Sequence, residues 1–246
     1  MYILAMETTG ALGSVAIIDE QKNICGFKAS SDAMSHLKNL IPMVAELLDE
    51  AGVAKSELSY VATSQGPGSF TGIRIGVSTA RALCQSLGIK GIAVPTMEGF
   101  LAKPEAVEAK ANGKVCCAII NARRGQVYGI IDGYMQPQAC MLTDVLETVL
   151  GPIFSEGKEV LFFGDGIDAY KEQIEDALEG KGKYSFADES CRYQDAASVA
   201  KLAVELENDG KTLEYKDILP EYMRKAEAEQ KLAAGQLPIC KGPKQE

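Results

Sequence analysis

The stretch Ser64-Gln65-Gly66-Pro67-Gly68-Ser69-Phe70-Thr71-Gly72-Ile73-Arg74 has the residue types of an anion cradle. Three glycines and a proline fall within seven positions, just before a long amphipathic helix. Glycine admits backbone conformations that other residues avoid, and proline removes a donor and fixes one torsion. A helix N-terminus presents free N–H groups and a partial positive charge, so a glycine-rich approach to one can hold a phosphate. The same residues also make a tight turn capped by Ser69 or Thr71. Both readings stand on residue types alone. The loop lacks the Gly-Lys-Ser/Thr ending of a Walker loop and does not fit G-x-G-x-x-G. Arg74 in the first helical turn opposes the helix dipole, so an acidic partner or a contact elsewhere is expected for it.

Other groups that could do chemistry are few. Gly164-Asp165-Gly166, after Phe162-Phe163, is a second phosphate-loop candidate, and the same three residues make an ordinary turn. The chain has one histidine, His36, at the start of a helix. One histidine excludes a metal site with several imidazole ligands. A Ser-His-Asp triad would have to use His36, and no Gly-x-Ser-x-Gly accompanies it. Seven cysteines, Cys25, Cys84, Cys116, Cys117, Cys140, Cys191 and Cys240, form no C-x-x-C pair. They read as reduced thiols of a cytoplasmic protein.

The elements that must position these groups follow from 246 residues, 46% hydrophobic and 24% charged, ordinary values for a globular chain. No apolar run approaches the roughly 20 residues of a membrane helix. The opening Met1–Met6 is strand-like, with no basic region of a signal peptide. A net charge of −9 argues against binding nucleic acid through a broad basic surface.

Hydrophobic patterning predicts strands at 2–7, 15–19 and 24–29. A helix from Ser35 to Ala51 follows, then a strand 60–64 leading into the glycine loop, a helix 71–87 and a strand 92–94. After Gly113 the order recurs, with strands at 115–120, 126–132 and 138–142. Asn121 follows Glu7 by 114 positions and Asp132 follows Asp19 by 113. Such self-similarity predicts two related α/β units. A strand 159–163 and helices 167–178 and 196–208 complete the second. The expected division is a first lobe 1–103, a second lobe 104–233 and a loose tail 234–246.

The nonapeptide Gly66-Pro67-Gly68-Ser69-Phe70-Thr71-Gly72-Ile73-Arg74 resembles the signature of the TsaB (YeaZ-type) family of the bacterial tRNA threonylcarbamoyladenosine machinery. Glu7-Thr8-Thr9, Ser35-His36 through Pro42, Pro95-Thr96 and Leu219-Pro220-Glu221-Tyr222-Met223-Arg224 add to the likeness. The resemblance implies an actin-like ATPase (ASKHA) fold of two RNase H-like lobes. Such folds place an acid on the first hairpin to handle metal–phosphate. Glu7 holds that place here, where many relatives carry Asp, and its other role is a hydrogen bond to the turn. The related catalytic subunit family, TsaD, carries His-Met-Glu-Gly-His where this chain has Thr96-Met97-Glu98-Gly99-Phe100. Phenylalanine cannot ligate a metal and threonine is a poor ligand beside imidazole.

The resemblance thus implies a non-catalytic partner, without metal or cofactor, that activates TsaD in forming N6-threonylcarbamoyladenosine at adenosine-37 of tRNA. A TsaE-like ATPase is the third partner, and tRNA is touched only indirectly. Glu7, Gly66, Gly68, Gly72 and Arg74 would be relics of a nucleotide site, turn elements or contacts near a partner. The opposing reading is a self-sufficient ATPase or small-metabolite kinase, supported by Glu7 and the glycine loops.

Both N-terminal helices are broadly apolar. The resemblance implies that they mediate homodimerisation and, in competition, pairing with TsaD. The candidates are Leu40, Met43, Leu47, Gly76, Ala80 and Leu83. A charge at Met43 or Ala80 is then expected to abolish pairing while sparing the fold.

Overall fold

The computed structural model describes residues 1–30 and 36–224. The Ser35 cap, Cys240 and the 234–246 tail lie outside the described residues. The elements are β1 (Tyr2–Glu7), β2 (Ser14–Asp19), β3 (Ile24–Ala29), α1 (His36–Ala51), β4 (Leu58–Gly66), α2 (Phe70–Leu87), β5 (Lys90–Pro95), α3 (Thr96–Leu101) and α4 (Pro104–Ala111). The chain continues through β6 (Val115–Asn121), β7 (Gln126–Ile131), β8 (Met135–Met141), α5 (Leu142–Thr148), β9 (Val160–Phe163), α6 (Gly166–Leu178), β10 (Tyr184–Phe186), α7 (Glu189–Arg192) and α8 (Ala196–Asn208).

Two five-stranded sheets form, ordered β3-β2-β1-β4-β5 and β10-β9-β6-β7-β8. Each is an antiparallel three-strand meander extended by two parallel strands. The recurrence expected from the sequence is therefore real at the level of topology. Parallel strands need helical crossovers: α1 joins β3 to β4, α2 joins β4 to β5, and α6 joins β9 to β10.

The central strands are apolar on both faces, which demands cover on both sides. In the first sheet Leu4, Met6, Val15, Ile17 and Val61 meet α1 and α2. Ile3, Ala5, Ala16, Ile18 and Ile92 on the reverse face meet Ala196, Val199, Ala200, Ala203 and Val204 of α8. In the second sheet, one face packs on α5 and α6. The other takes Met97 and Phe100 of α3 and Ala106 and Ala109 of α4. α8, late in the chain, thus covers the first sheet. α3 lies against both sheets, touching β4 and β5 as well as β6 and β7, while α8, Leu213 and Ile218 pack on the first. Periodicity shows that a helix is amphipathic but not which sheet receives its apolar face.

The apolar residues of α1 divide between core and surface. Leu40, Met43, Val44, Leu47 and Leu48 face the sheet, whereas Leu37 and Ile41 are 81% and 51% exposed. No helix among the described residues is long and apolar enough to cross a membrane.

Candidate functional site

The residues singled out by sequence converge where β1, β4, β5 and β6 end, the edge at which open α/β sheets bind ligands. Glu7 closes β1 and is 1% exposed. Its Oε1 accepts from the Thr9 amide and from Thr9 Oγ1 at 2.6 Å, and its Oε2 accepts from Ser64 Oγ. Both oxygens are therefore committed within the protein, which favours the hydrogen-bonding role over metal–phosphate handling. Burial pushes the Glu7 carboxyl above the ordinary glutamate range against the lowering effect of these bonds, and the charge of Asp195 adds to the rise.

A carboxyl with a raised folded pKa favours the fold while protonated. That contribution is complete below the ordinary glutamate value and is lost as pH rises through the folded value. Glu7→Gln keeps Oε1 for Thr9 and offers an N–H to the Ser64 hydroxyl. The variant should gain stability relative to wild type as pH rises above the ordinary glutamate value, by up to about 1.4 kcal/mol for each tenfold change in proton affinity. Urea midpoints from acid to neutral pH check this, and parallel curves would refute it.

The glycine loop is a turn with a cap. Ser69 Oγ accepts from the Gly72 amide at 3.2 Å, the Ser69 amide donates to the Thr9 carbonyl at 2.8 Å, and Thr8 Oγ1 donates to the Gly72 carbonyl at 2.8 Å. The loop thus packs on the Thr8–Thr9 turn through one donor and one acceptor. A Cβ on Gly72 would lie 1.9 Å from the Thr8 carbonyl oxygen, and one on Gly76 would lie 2.5 Å from Thr8 Oγ1. Close backbone approach is what these glycines provide. Gly66 and Gly68 also have positive φ, 123° and 154°.

Arg74 has the expected contact elsewhere, and it is aromatic. Its Nε donates to Tyr222 Oη at 2.9 Å and its Cζ sits 4.0 Å over the Phe70 ring. Phe70 and Tyr222 stack with centroids 4.5 Å apart. Gly164-Asp165-Gly166 is likewise a turn. A Cβ on Gly164 would meet the Ile119 carbonyl oxygen at 2.0 Å, and Asp165 Oδ1 accepts from the Asn121 amide at 2.9 Å. Burial raises the Asp165 carboxyl, and the Asn121 bond lowers it.

Thr96 and Phe100, on α3, are 3% and 1% exposed. Phe100 lies in the apolar cluster with Met97, Ala118, Ile120 and Phe163, and Thr96 Oγ1 has no hydrogen-bond partner among the described residues. Among the described residues no group of three or more His, Cys, Asp or Glu side chains is placed to hold a metal. Burial pushes the Cys84 and Cys116 thiols up to about 11, so they stay protonated at neutral pH.

Two connections across the seam between the lobes escaped the sequence. Lys103, 2% exposed, pairs with Asp195, whose Oδ1 also caps α8 by accepting from the Ser198 amide at 2.7 Å. The Asp-x-x-Ser spacing signals the cap, but nothing local signals the lysine. The segment Leu219–Arg224 runs from one lobe to the other. The Glu221 amide donates to the Gln65 carbonyl at 2.7 Å, Tyr222 holds Arg74, Met223 packs near α3, and Arg224 Nη1 donates to the Ala122 carbonyl.

The interface candidates are mostly interior. Leu40, Met43, Leu47 and Ala80 are 1%, 8%, 1% and 0% exposed, Gly76 is buried, and Leu83 is half-buried. A charge at Met43 or Ala80 would enter the core. A core stripe and an interface stripe look alike in sequence.

A family model described as tRNA N6-adenosine threonylcarbamoyltransferase (TsaD) matches residues 14–232. The chain is 32% identical over 242 residues to the tRNA threonylcarbamoyladenosine biosynthesis protein TsaB of Bacillus subtilis (strain 168), covering 94% of this chain and 97% of that one. It is 30% identical to the Escherichia coli (strain K12) TsaB over 128 residues, 52% of this chain and 53% of that one. Among solved structures, YeaZ from Pseudomonas aeruginosa aligns with a TM-score of 0.70 at 26% identity, over 90% of this chain and 99% of that one. A putative N-acetylmannosamine kinase from Listeria monocytogenes aligns with a TM-score of 0.50 at 10% identity, over 85% and 100%, a likeness of fold alone. With its two-lobed actin-like fold, its glycine-loop signature and a near full-length match to a curated relative, the chain belongs to the TsaB family of tRNA threonylcarbamoyladenosine biosynthesis proteins.

Proposed function

We infer that this chain is the non-catalytic subunit that pairs with a TsaD-like enzyme and activates it in forming N6-threonylcarbamoyladenosine on tRNA in the cytoplasm. The observation that carries this reading is α3. The TsaD pattern that this segment resembles has two histidines there, and here the corresponding positions are a buried threonine and a phenylalanine sealed in an apolar cluster. Glu7 is held by Thr9 and Ser64, and the Ser69 and Gly72 amides of the glycine loop bond within the protein, which weighs against a self-sufficient ATPase. A TsaE-like ATPase completes the assembly, and most tRNA contacts belong to the partners. The isolated chain forms a homodimer through the surface it offers to TsaD.

That surface is the outward side of α1 and α2, where α1 exposes Leu37 and Ile41 and α2 carries the half-buried Leu83. Exposed large apolar side chains on neighbouring helices suit an interface. The test is threonylcarbamoyl transfer to tRNA by a cognate TsaD with TsaE and supplied adenylate, with and without this chain. Transfer is expected to depend strongly on the chain, with none from the chain alone. Ile41→Glu, at an exposed position, should abolish pairing by light scattering while leaving the thermal midpoint within a few degrees. Full transfer without the chain, or transfer by it alone, would return the enzyme reading.

A further inference from the structure

The segment 219–224 spans both lobes, and its two ends are held differently. It leaves the first lobe at Ile218, a buried side chain set against Gly91, where a Cβ would lie 2.3 Å from Ile218 Cδ1. The Glu221 amide donates to the Gln65 carbonyl at 2.7 Å, and Gln65 Nε2 donates in return to Glu221 Oε2 at 2.8 Å. A Cβ on Gly66 would stand 2.2 Å from the Glu221 carbonyl oxygen, so the two backbones touch. Tyr222 closes this end, stacked on Phe70 and accepting from Arg74 Nε at 2.9 Å. The second-lobe end is held through side chains. Met223, half-buried, packs on the apolar cluster of the second sheet, and Arg224 Nη1 donates to the Ala122 carbonyl just beyond β6.

The chain passes between the sheets at two other places. α3 and α4 lead from β5 to β6, and α7 leads into α8, which returns to the first sheet. Lys103 stands at the N-terminus of α4 and Asp195 at that of α8, so their ion pair ties the two crossings together. Two crossings tied to each other leave one freedom, rotation of one lobe against the other. Hinge closure of this kind is a common motion of two-lobed proteins. A third attachment, at the glycine loop, removes that freedom.

We infer that 219–224 is a latch that fixes the angle between the lobes, and that the cleft opens by release of Met223 and Arg224 while the rest of the strap stays on the glycine loop. Releasing the first-lobe end would break an amide–carbonyl bond and an aromatic stack together. Releasing the second-lobe end uncovers a half-buried methionine and returns a guanidinium to solvent. Local opening takes the route that gives up the fewest buried contacts and backbone bonds. Glycine at position 66 serves the latch as well as the turn, because a Cβ there would lift the strap off the loop. The inference uses contacts within this chain alone and stands apart from the tRNA-modification reading.

The experiment measures the distance distribution between spin labels on the full chain, one at Gln85 of α2 and one at Glu147 of α5, both exposed positions. Labels carried on genetically encoded azido side chains leave the cysteines untouched. The wild type should give one narrow distance. Met223→Ala/Arg224→Ala should broaden the distribution and add a population at a longer distance, while circular dichroism and amide protection of the two sheets stay as in wild type. Arg224→Lys keeps a donor for the Ala122 carbonyl and should restore most of the narrow distance. Tyr222→Phe loses the Arg74 bond but keeps the stack, at the end that does not open, and should stay narrow. If the double variant does not fold, Arg224→Met alone carries the test, with a smaller broadening expected. An unchanged distribution in the folded variant, or a broad one in wild type, would overturn the latch. Broadening by Tyr222→Phe equal to that of the double variant would overturn the assignment of the end that releases.

Discussion

Gly72→Ala is expected to cost at least about 3 kcal/mol and to leave the protein largely unfolded under mild denaturant. The added Cβ would lie 1.9 Å from the Thr8 carbonyl oxygen. Both sides of that contact are backbone, one in the first turn of α2 and the other in the β1–β2 turn, so no side chain can rotate away. Relief requires moving α2 off the sheet, which breaks the Thr8–Gly72 and Ser69–Thr9 bonds and opens the core under Ile73 and Val77. Gly99→Ala is the control. A Cβ there meets nothing within 4 Å, and alanine in a helix is favoured over glycine by about 1 kcal/mol. Urea midpoints should therefore move in opposite directions. Equal midpoints for Gly72→Ala and wild type would show that the loop is not packed as described.

The second large effect is at the seam. Lys103→Ala removes the ammonium paired with Asp195 while leaving Asp195 to cap α8 near the buried Glu7. Breaking a buried pair from one side costs about 3–5 kcal/mol, because the remaining charge stays uncompensated. Asp195 keeps 27% side-chain exposure, so water offsets part of the loss and about 2–3 kcal/mol is expected. Adding Asp195→Asn removes the stranded charge and keeps an oxygen for the Ser198 cap. The double variant should recover at least about 1 kcal/mol relative to the sum of the single costs. Additive costs across the cycle would mean that Lys103 and Asp195 do not act as a pair.

The contrast between Ala80 and Ile41 shows what pattern conveys. In α2, Ile73, Val77, Ala80 and Cys84 recur at helical spacing, and all of them are buried. In α1, Leu40, Met43, Val44, Leu47 and Leu48 are buried, whereas Leu37 and Ile41 are exposed. The apolar residues of α1 wrap more than one face, so their spacing alone does not say which side meets the sheet. Arg74 is similar: its conflict with the helix dipole shows in the sequence, but its aromatic contact comes from Tyr222, 148 positions away.

By itself the sequence determined the kind and order of the main strands and helices, the repeat of strand–turn–strand in the two halves, and the glycine loop with its helix cap. These depend on neighbours within a few residues, through backbone freedom, capping and periodicity. It also held the family signature and the phenylalanine where the catalytic pattern has histidine. Only the tertiary structure decided that α8 returns to the first sheet while α3 lies against both, that Lys103 meets Asp195, and that Leu219–Arg224 joins the glycine loop to the second lobe. It alone decided that the glycines serve close packing on Thr8 and Thr9. Each of these pairs residues distant in sequence, and such pairings are set by which apolar faces remain to be covered once the sheets have formed, a quantity that no local pattern encodes.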